Sequence, residues 1–141
     1  MEVAVNYLAV FLAGASSMVV GSIWYAKGTF GARWAKLAHV DLDRKMSGNE
    51  MAMLMGTTFV ISLITAYVLA HVTFLSHHFF QNSFLQDALS TGFWVWLGFT
   101  ALRFWTHDMF ERRPGTLTLL SAGNEFATIM VMALIIGLMG V

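Results

Sequence analysis

Two charged side chains and an amide, each inside a long apolar stretch, are the first residues in this sequence that could do chemistry. Arg103 lies 11 residues before Pro114, and Glu125 lies 11 residues after it. If the chain turns at Pro114 in an antiparallel helical hairpin, both charges lie at a similar depth, with Glu125 on the order of 10 Å inside its helix. Because an unpaired charge is costly there, the pattern predicts either a structural ion pair or a polar cavity for a proton or ligand. Asn124 is the third candidate, since its amide can form hydrogen bonds across helices.

A second group of candidates, His107, Asp108 and Glu111, lies just before the same turn. His107 and Glu111 are four residues apart, so both side chains share a face if the helix reaches Glu111. Imidazole and carboxylate groups bind metals, but a closed site needs about four ligands, and His39 is the only other obvious candidate. Two arginines follow directly and can neutralise the acids. The sequence therefore favours a solvated helix end over a metal site, and it identifies no cofactor.

The composition points to lipid as the solvent of this chain. Of its 141 residues, 57% are hydrophobic and 11% are charged, whereas a soluble domain carries about 25% charged residues. The eight basic and eight acidic side chains balance, which gives no indication of a nucleic-acid partner. The absence of cysteine excludes disulfides and thiol chemistry. No nucleophile elbow or phosphate-binding glycine loop is present.

Four apolar stretches, each close to the roughly 20 residues that cross a bilayer, organise the chain. They predict a single all-α membrane domain over residues 1–141, built as a four-transmembrane-helix bundle. The predicted spans cover residues 3–26, 51–75, 84–105 and 116–141. The candidate residues above then lie in the third and fourth spans and in the connection between them.

The basic residues predict how these spans are oriented. All eight Lys and Arg side chains fall in or beside two connections, residues 27–50 and 106–115. Basic connections face the cytoplasm according to the positive-inside rule. We therefore expect a multi-pass protein of the bacterial inner membrane with both termini outside. Because no basic residue precedes Lys27, we also expect the first span to be retained rather than cleaved as a signal peptide.

The first connection contains a short amphipathic segment. Phe30, Trp34 and Leu37 have helical spacing, with basic residues on other faces, which predicts a short interfacial helix between the first and second spans. Aromatic side chains at the ends of membrane helices often lie at the level of the lipid headgroups. The predicted membrane-interface anchors are Trp24, Tyr25, Trp34 and Trp105.

Several short motifs resemble those of the bacterial domain-of-unknown-function family 1761. They are Asn6–Val10, Gly21–Tyr25, Phe30-Gly31-x-x-Trp34, Gly98-Phe99, Phe110-Glu111-x-Arg113 and the Asn124-containing helix. Ala26-Lys27 stands where the family usually has a proline after its Trp-Tyr pair. The resemblance covers nearly the whole chain. It implies a small four-helix membrane protein and no established activity.

Three functions are compatible with these observations. Small residues spaced by four, such as Ser17 and Gly21, predict close helix packing in a non-enzymatic accessory subunit or homo-oligomer embedded in the lipid bilayer. The second hypothesis is a small-molecule or proton-coupled carrier that uses Arg103, Asn124 and Glu125. The third is a membrane enzyme or metal site at the His107 cluster. The sequence favours the first and leans away from an enzyme.

Overall fold

The computed structural model describes residues 3–140, in which every regular element is a helix. This confirms the predicted all-α class. The elements are α1 (Tyr7–Trp24), α2 (Gly31–Ala38), α3 (Gly48–Phe80), α4 (Phe84–Val95), a π-helical segment (Trp96–Ala101), α5 (Leu102–Phe110) and α6 (Gly115–Met139). Three residues of the predicted domain, 1, 2 and 141, lie outside the described residues. Residue 141 is also the end of the predicted fourth span.

Three helices, α1, α3 and α6, are long and apolar enough to cross a membrane, instead of the four that the sequence predicted. The difference lies in the third predicted span, residues 84–105. The backbone stays helical from α4 to α5, but its hydrogen bonds widen to the π pattern between Trp96 and Ala101. At the start of this segment the indole Nε1 of Trp96 donates a hydrogen bond to the Ala122 carbonyl of α6 at 2.9 Å. Hydropathy averages over a span and therefore does not detect such a local change in winding.

The core of the bundle is made of small side chains that let the helices approach closely. Ala13, Ala66 and Ala133 are fully buried, and they pack with Met132 and Ile136. A Cβ atom on Gly137 of α6 would lie 2.9 Å from the Cα atom of Leu85 in α4. Such close contacts replace the hydrophobic effect as the attraction between helices in lipid, where apolar side chains gain little by leaving the solvent.

Helix α3 is longer than the predicted span of residues 51–75 at both ends. Ser47 and Glu50 form a capping box at its start, and Gln81 ends it in a left-handed conformation. His77 therefore lies within the helix rather than in a connection. Its Nδ1 atom donates a hydrogen bond to the Asp87 carboxylate of α4 at 2.8 Å, and Asp87 is only 2% exposed. This contact ties α3 to α4 at the end opposite the basic connections.

Helix α2 confirms the short helix predicted in the first connection, and it folds back against the end of α1. Trp34 packs against Tyr25 with ring centroids 4.8 Å apart, and Phe30 packs against Trp24 at 4.5 Å. The turn leaves no room beside Gly31, because a Cβ atom there would overlap the carbonyl group of Tyr25. The Phe-Gly-x-x-Trp motif is therefore explained by a tight backbone contact at this turn.

The structure also brings the two basic connections to the same end of the bundle. The end of α2, from Leu37 to His39, lies beside the 112–114 segment that precedes α6. At the opposite end, the Asn6 amide donates a hydrogen bond to the Met139 carbonyl at 3.5 Å. We refer to the end that carries the two basic connections as the basic end of the bundle.

The contact at Gly31 predicts a specific loss of stability. Gly31→Ala forces the Tyr25 carbonyl to move, and overpacking of this kind destabilises a fold by about 1–3 kcal/mol. Gly28→Ala is the matched control in the same turn, because nothing lies within 4 Å of a Cβ atom at that position. We expect thermal unfolding in detergent to show a lower melting temperature for the first variant only. Equal melting temperatures of the two variants would contradict this account of the turn.

Candidate functional site

A cavity of about 600 Å³ lies between α1, α3 and α6 in the half of the bundle nearer the basic end. It forms because α3 diverges there: its residues 48–58 are all exposed, whereas later residues such as Ser62 and Ala66 are buried. On α1, Gly21 lines the space, and a Cβ atom on it would meet nothing within 4 Å. Gly21 therefore does not make the close helix contact that its spacing from Ser17 predicts. It leaves room in the cavity instead.

Glu125 and Asn124 of α6 supply the strongest polar groups of this cavity. The Glu125 side chain is partly buried, and within residues 3–140 it has no ion pair and no hydrogen bond. The Oδ1 atom of Asn124 is buried and has no hydrogen-bond partner, in a residue that is 8% exposed. Buried polar atoms are nearly always satisfied. A carboxyl group without a counter-charge on the wall of a cavity is typical of a site that receives a ligand.

Most hydroxyl groups on the cavity wall form hydrogen bonds within their own helices. Ser62 donates to the Thr58 carbonyl at 2.9 Å, and Thr58 donates to the Leu54 carbonyl at 2.8 Å. Ser17 of α1 donates in the same way to the Gly14 carbonyl at 2.7 Å. The protons of these hydroxyl groups are therefore used, while their oxygens keep lone pairs that can accept a hydrogen bond.

A second cavity, of about 300 Å³, lies at the basic end. Its wall includes Trp34 of α2, Asp108 of α5 and Arg113, together with Tyr25 and Glu125. Tyr25 and Glu125 thus line both cavities. A carboxyl group at this position can exchange a proton with one cavity and a bound group with the other.

Arg103, the predicted partner of Glu125, lies elsewhere. Its side chain is exposed, and it forms no ion pair in the part of the chain that the structure describes. The next residue, Phe104, lines the second cavity, and successive residues of an α-helix point about 100° apart. Equal spacing from a turn predicts equal depth, but it does not predict the direction in which a side chain points. The predicted Arg103–Glu125 pair is therefore not formed.

The metal site considered at His107, Asp108 and Glu111 is also not formed. No group of three or more His, Asp or Glu side chains in the described residues could hold a metal ion. Asp108 accepts a hydrogen bond from the Thr118 hydroxyl at 2.6 Å, and Glu111 pairs with the Arg113 guanidinium at 2.6 Å. These contacts tie α5 to α6 and the adjoining turn, which agrees with the solvated helix end that the sequence favoured.

The four predicted aromatic anchors all lie toward the basic end, but they pack differently. The Trp24 ring lies 3.1 Å from the position of a Cβ atom on Gly123, so it fills the space beside that glycine. Tyr25 and Trp34 form the pair described above. Trp105 is 44% exposed, with its ring near Gly115. Their placement at a membrane interface stays a prediction.

One buried charge, Asp87, was not identified from the sequence. It lies in the first turn of α4, where an acid is common because it interacts favourably with the helix dipole. That common role gives no sign of the hydrogen bonds that Asp87 accepts from His77 at 2.8 Å and from the Asn82 amide at 2.9 Å. The available signal was the histidine ten residues earlier, across a short turn.

Comparison with known proteins identifies the family of the chain. The sequence profile described as "Protein of unknown function (DUF1761)" matches residues 8–137. The chain belongs to this family. The match confirms the resemblance found in the short motifs, and it covers every element from α1 to most of α6. No curated protein and no solved structure matches the chain. Membership of the DUF1761 family carries no established activity.

The buried Oδ1 atom of Asn124, which has no hydrogen-bond partner, allows a test of whether this side chain stabilises the fold. An unsatisfied buried polar group destabilises a fold, so Asn124→Leu should leave the melting temperature unchanged or raise stability by about 1 kcal/mol. Asn82→Leu is the control, since that amide bonds the buried carboxylate of Asp87, and its loss should cost about 1–3 kcal/mol. Thermal unfolding of both variants in detergent measures the contrast. A large loss of stability in Asn124→Leu would show that this amide has a structural role.

Proposed function

We propose that this protein is a small-molecule or proton-coupled carrier of the bacterial inner membrane, with Glu125 as its exchange group. The observation that carries the proposal is the position of Glu125, whose carboxyl group lines both cavities without a counter-charge. A bare carboxylate inside an apolar bundle is costly. It must therefore bind a proton, a cation or water, and exchange between such partners is what a carrier requires.

The proposal includes four membrane crossings, with α4, the π-helical segment and α5 together forming the third. This continuous helical path runs from Phe84 to Phe110, which at 1.5 Å per residue reaches about 40 Å and exceeds the roughly 30 Å of a bilayer core. An even number of crossings agrees with the collection of both basic connections at one end of the bundle. The positive-inside rule then assigns residues 27–50 and 106–115 to the cytoplasm and both termini to the outside.

In this arrangement the two cavities have different roles. The cavity at the basic end lies on the proposed cytoplasmic side and gives water and protons access to Glu125. The larger cavity between α1, α3 and α6 holds the carried molecule. Protonation of Glu125 removes its charge and weakens its attraction for a bound cation or donor, which couples release of the ligand to uptake of the proton.

The accessory-subunit hypothesis remains a prediction, and the same cavity argues against it as the main role. Residues that only fix helix packing make contacts with neighbouring helices. The Oδ1 atom of Asn124 and the carboxyl group of Glu125 make none of the polar contacts that such a role would provide. Assembly into a homo-oligomer or with other membrane proteins is compatible with a carrier and is not needed for this site.

The carbodiimide reagent dicyclohexylcarbodiimide tests whether Glu125 handles protons, because it reacts with protonated carboxyl groups in apolar surroundings. We expect mass spectrometry to find the label on Glu125, with a yield that rises as the pH is lowered. Glu125→Gln should remove this label. Asp43→Asn, which neutralises a carboxylate that is 82% exposed and outside both cavities, should leave it unchanged.

The absence of carbodiimide labelling at Glu125 would overturn the proposal. If Glu125 is not labelled at any pH while the protein remains folded, the carboxyl group has no exchangeable proton, and a proton-coupled carrier is excluded. Circular dichroism and the melting temperature of each variant establish that the labelling difference does not come from unfolding.

A further inference from the structure

Several hydroxyl groups on the wall of the cavity between α1, α3 and α6 can only accept further hydrogen bonds. The hydroxyl protons of Ser17, Thr58 and Ser62 are donated to carbonyl groups of their own helices, so their oxygens are left with acceptor lone pairs. These residues line the cavity together with Glu125. A ligand that brings hydrogen-bond donors or positive charge would satisfy this wall.

The charge on the cavity wall also favours a cationic ligand. Glu125 is the one charged side chain among the described residues that line the cavity, and no Lys, Arg or His is among them. The cation that shares the second cavity with Glu125 is Arg113, which is engaged by Glu111 at 2.6 Å and lies 3.9 Å from Asp108. Within residues 3–140, no cationic side chain therefore pairs with the Glu125 carboxylate.

The rest of the cavity is apolar and adaptable. Met18, Met55 and Met132 come from α1, α3 and α6, so each of the three walls contributes a methionine. Methionine side chains are flexible and polarisable, and they fit apolar partners of varied shape. A volume of about 600 Å³ is within the range of cavities that bind small organic molecules. A bare metal ion would leave most of this surface without a partner.

We propose that the cavity binds a monovalent organic cation with an apolar body, and that this cation and a proton compete for the carboxylate of Glu125. The inference rests on the proposed function and names its substrate class. The other titratable or charged groups facing Glu125 are Tyr25 at the end of α1, Asp108 of α5 and Arg113. Helix α3 contributes no titratable group to either cavity, and α2 contributes Trp34.

Tetraphenylphosphonium and tetraphenylborate test this inference, because they have nearly the same shape and opposite charge. Equilibrium dialysis of the purified full chain in detergent should show saturable binding of tetraphenylphosphonium at alkaline pH. We expect Glu125→Gln to weaken this binding by about tenfold or more, because the desolvated counter-charge is lost. Glu125→Asp, which keeps the charge, should retain most of it, and Asp43→Asn should retain all of it. Acidic pH should weaken binding to the wild-type protein and leave Glu125→Gln unaffected.

Two results would overturn the inference: equal tetraphenylphosphonium affinity of the wild-type protein and Glu125→Gln, or tetraphenylborate bound by the wild-type protein as tightly as the cation. The carbodiimide experiment separates this failure from failure of the proposed function. If Glu125 is labelled in a pH-dependent way and tetraphenylphosphonium does not bind, the carrier proposal stands and the substrate class is wrong. If tetraphenylphosphonium binds through Glu125, it should also protect this residue from the carbodiimide.

Discussion

Glu125 places a carboxyl group in a helix that is otherwise uncharged, and the free energy of satisfying that group constrains the packing around it. In lipid the alternatives are a counter-charge, a proton, a ligand or water. The chain offers no counter-charge within 4.0 Å in the described residues, since its ion pairs involve other carboxylates. The surrounding helices instead leave space on two sides of the carboxyl group. The cavity, rather than a salt bridge, is therefore the way in which this fold accommodates the charge.

The two halves of the bundle differ in how closely their helices pack. Toward the termini, small residues bring the helices into close contact, and Asp87 ties α3 to α4 through His77. Toward the basic end, α3 diverges, Gly21 adds no side chain, and the helices leave an open cavity between them. A tightly packed half fixes the relative positions of the helices. The looser half can then hold a polar cavity without the bundle losing its order.

The sequence identified Asn124 and Glu125 as candidate residues, but it could not predict the direction in which the Arg103 side chain points. Counting residues from Pro114 placed Arg103 and Glu125 at similar levels, but the exposed position of Arg103 depends on which face of α5 meets α6. That rotation is set by packing of the whole bundle. The long apolar helices α1, α3 and α6 and the short helix α2 were recoverable because hydropathy and helical spacing are local signals. The π-helical segment and the hydrogen bond between Asp87 and His77 depend on contacts between elements.

The Gly98-Phe99 motif lies within the π-helical segment, and a hydrogen bond from this segment reaches the helix that carries the candidate site. The first residue of the segment, Trp96, donates to the Ala122 carbonyl, which is two residues before Asn124 on α6. Further along α6, Gly137 packs closely against Leu85 of α4. A side-chain hydrogen bond at one level and close packing at another together limit how α6 can rotate relative to α4. The direction in which Asn124 and Glu125 point therefore depends on several contacts between elements, none of which is a local signal in the sequence.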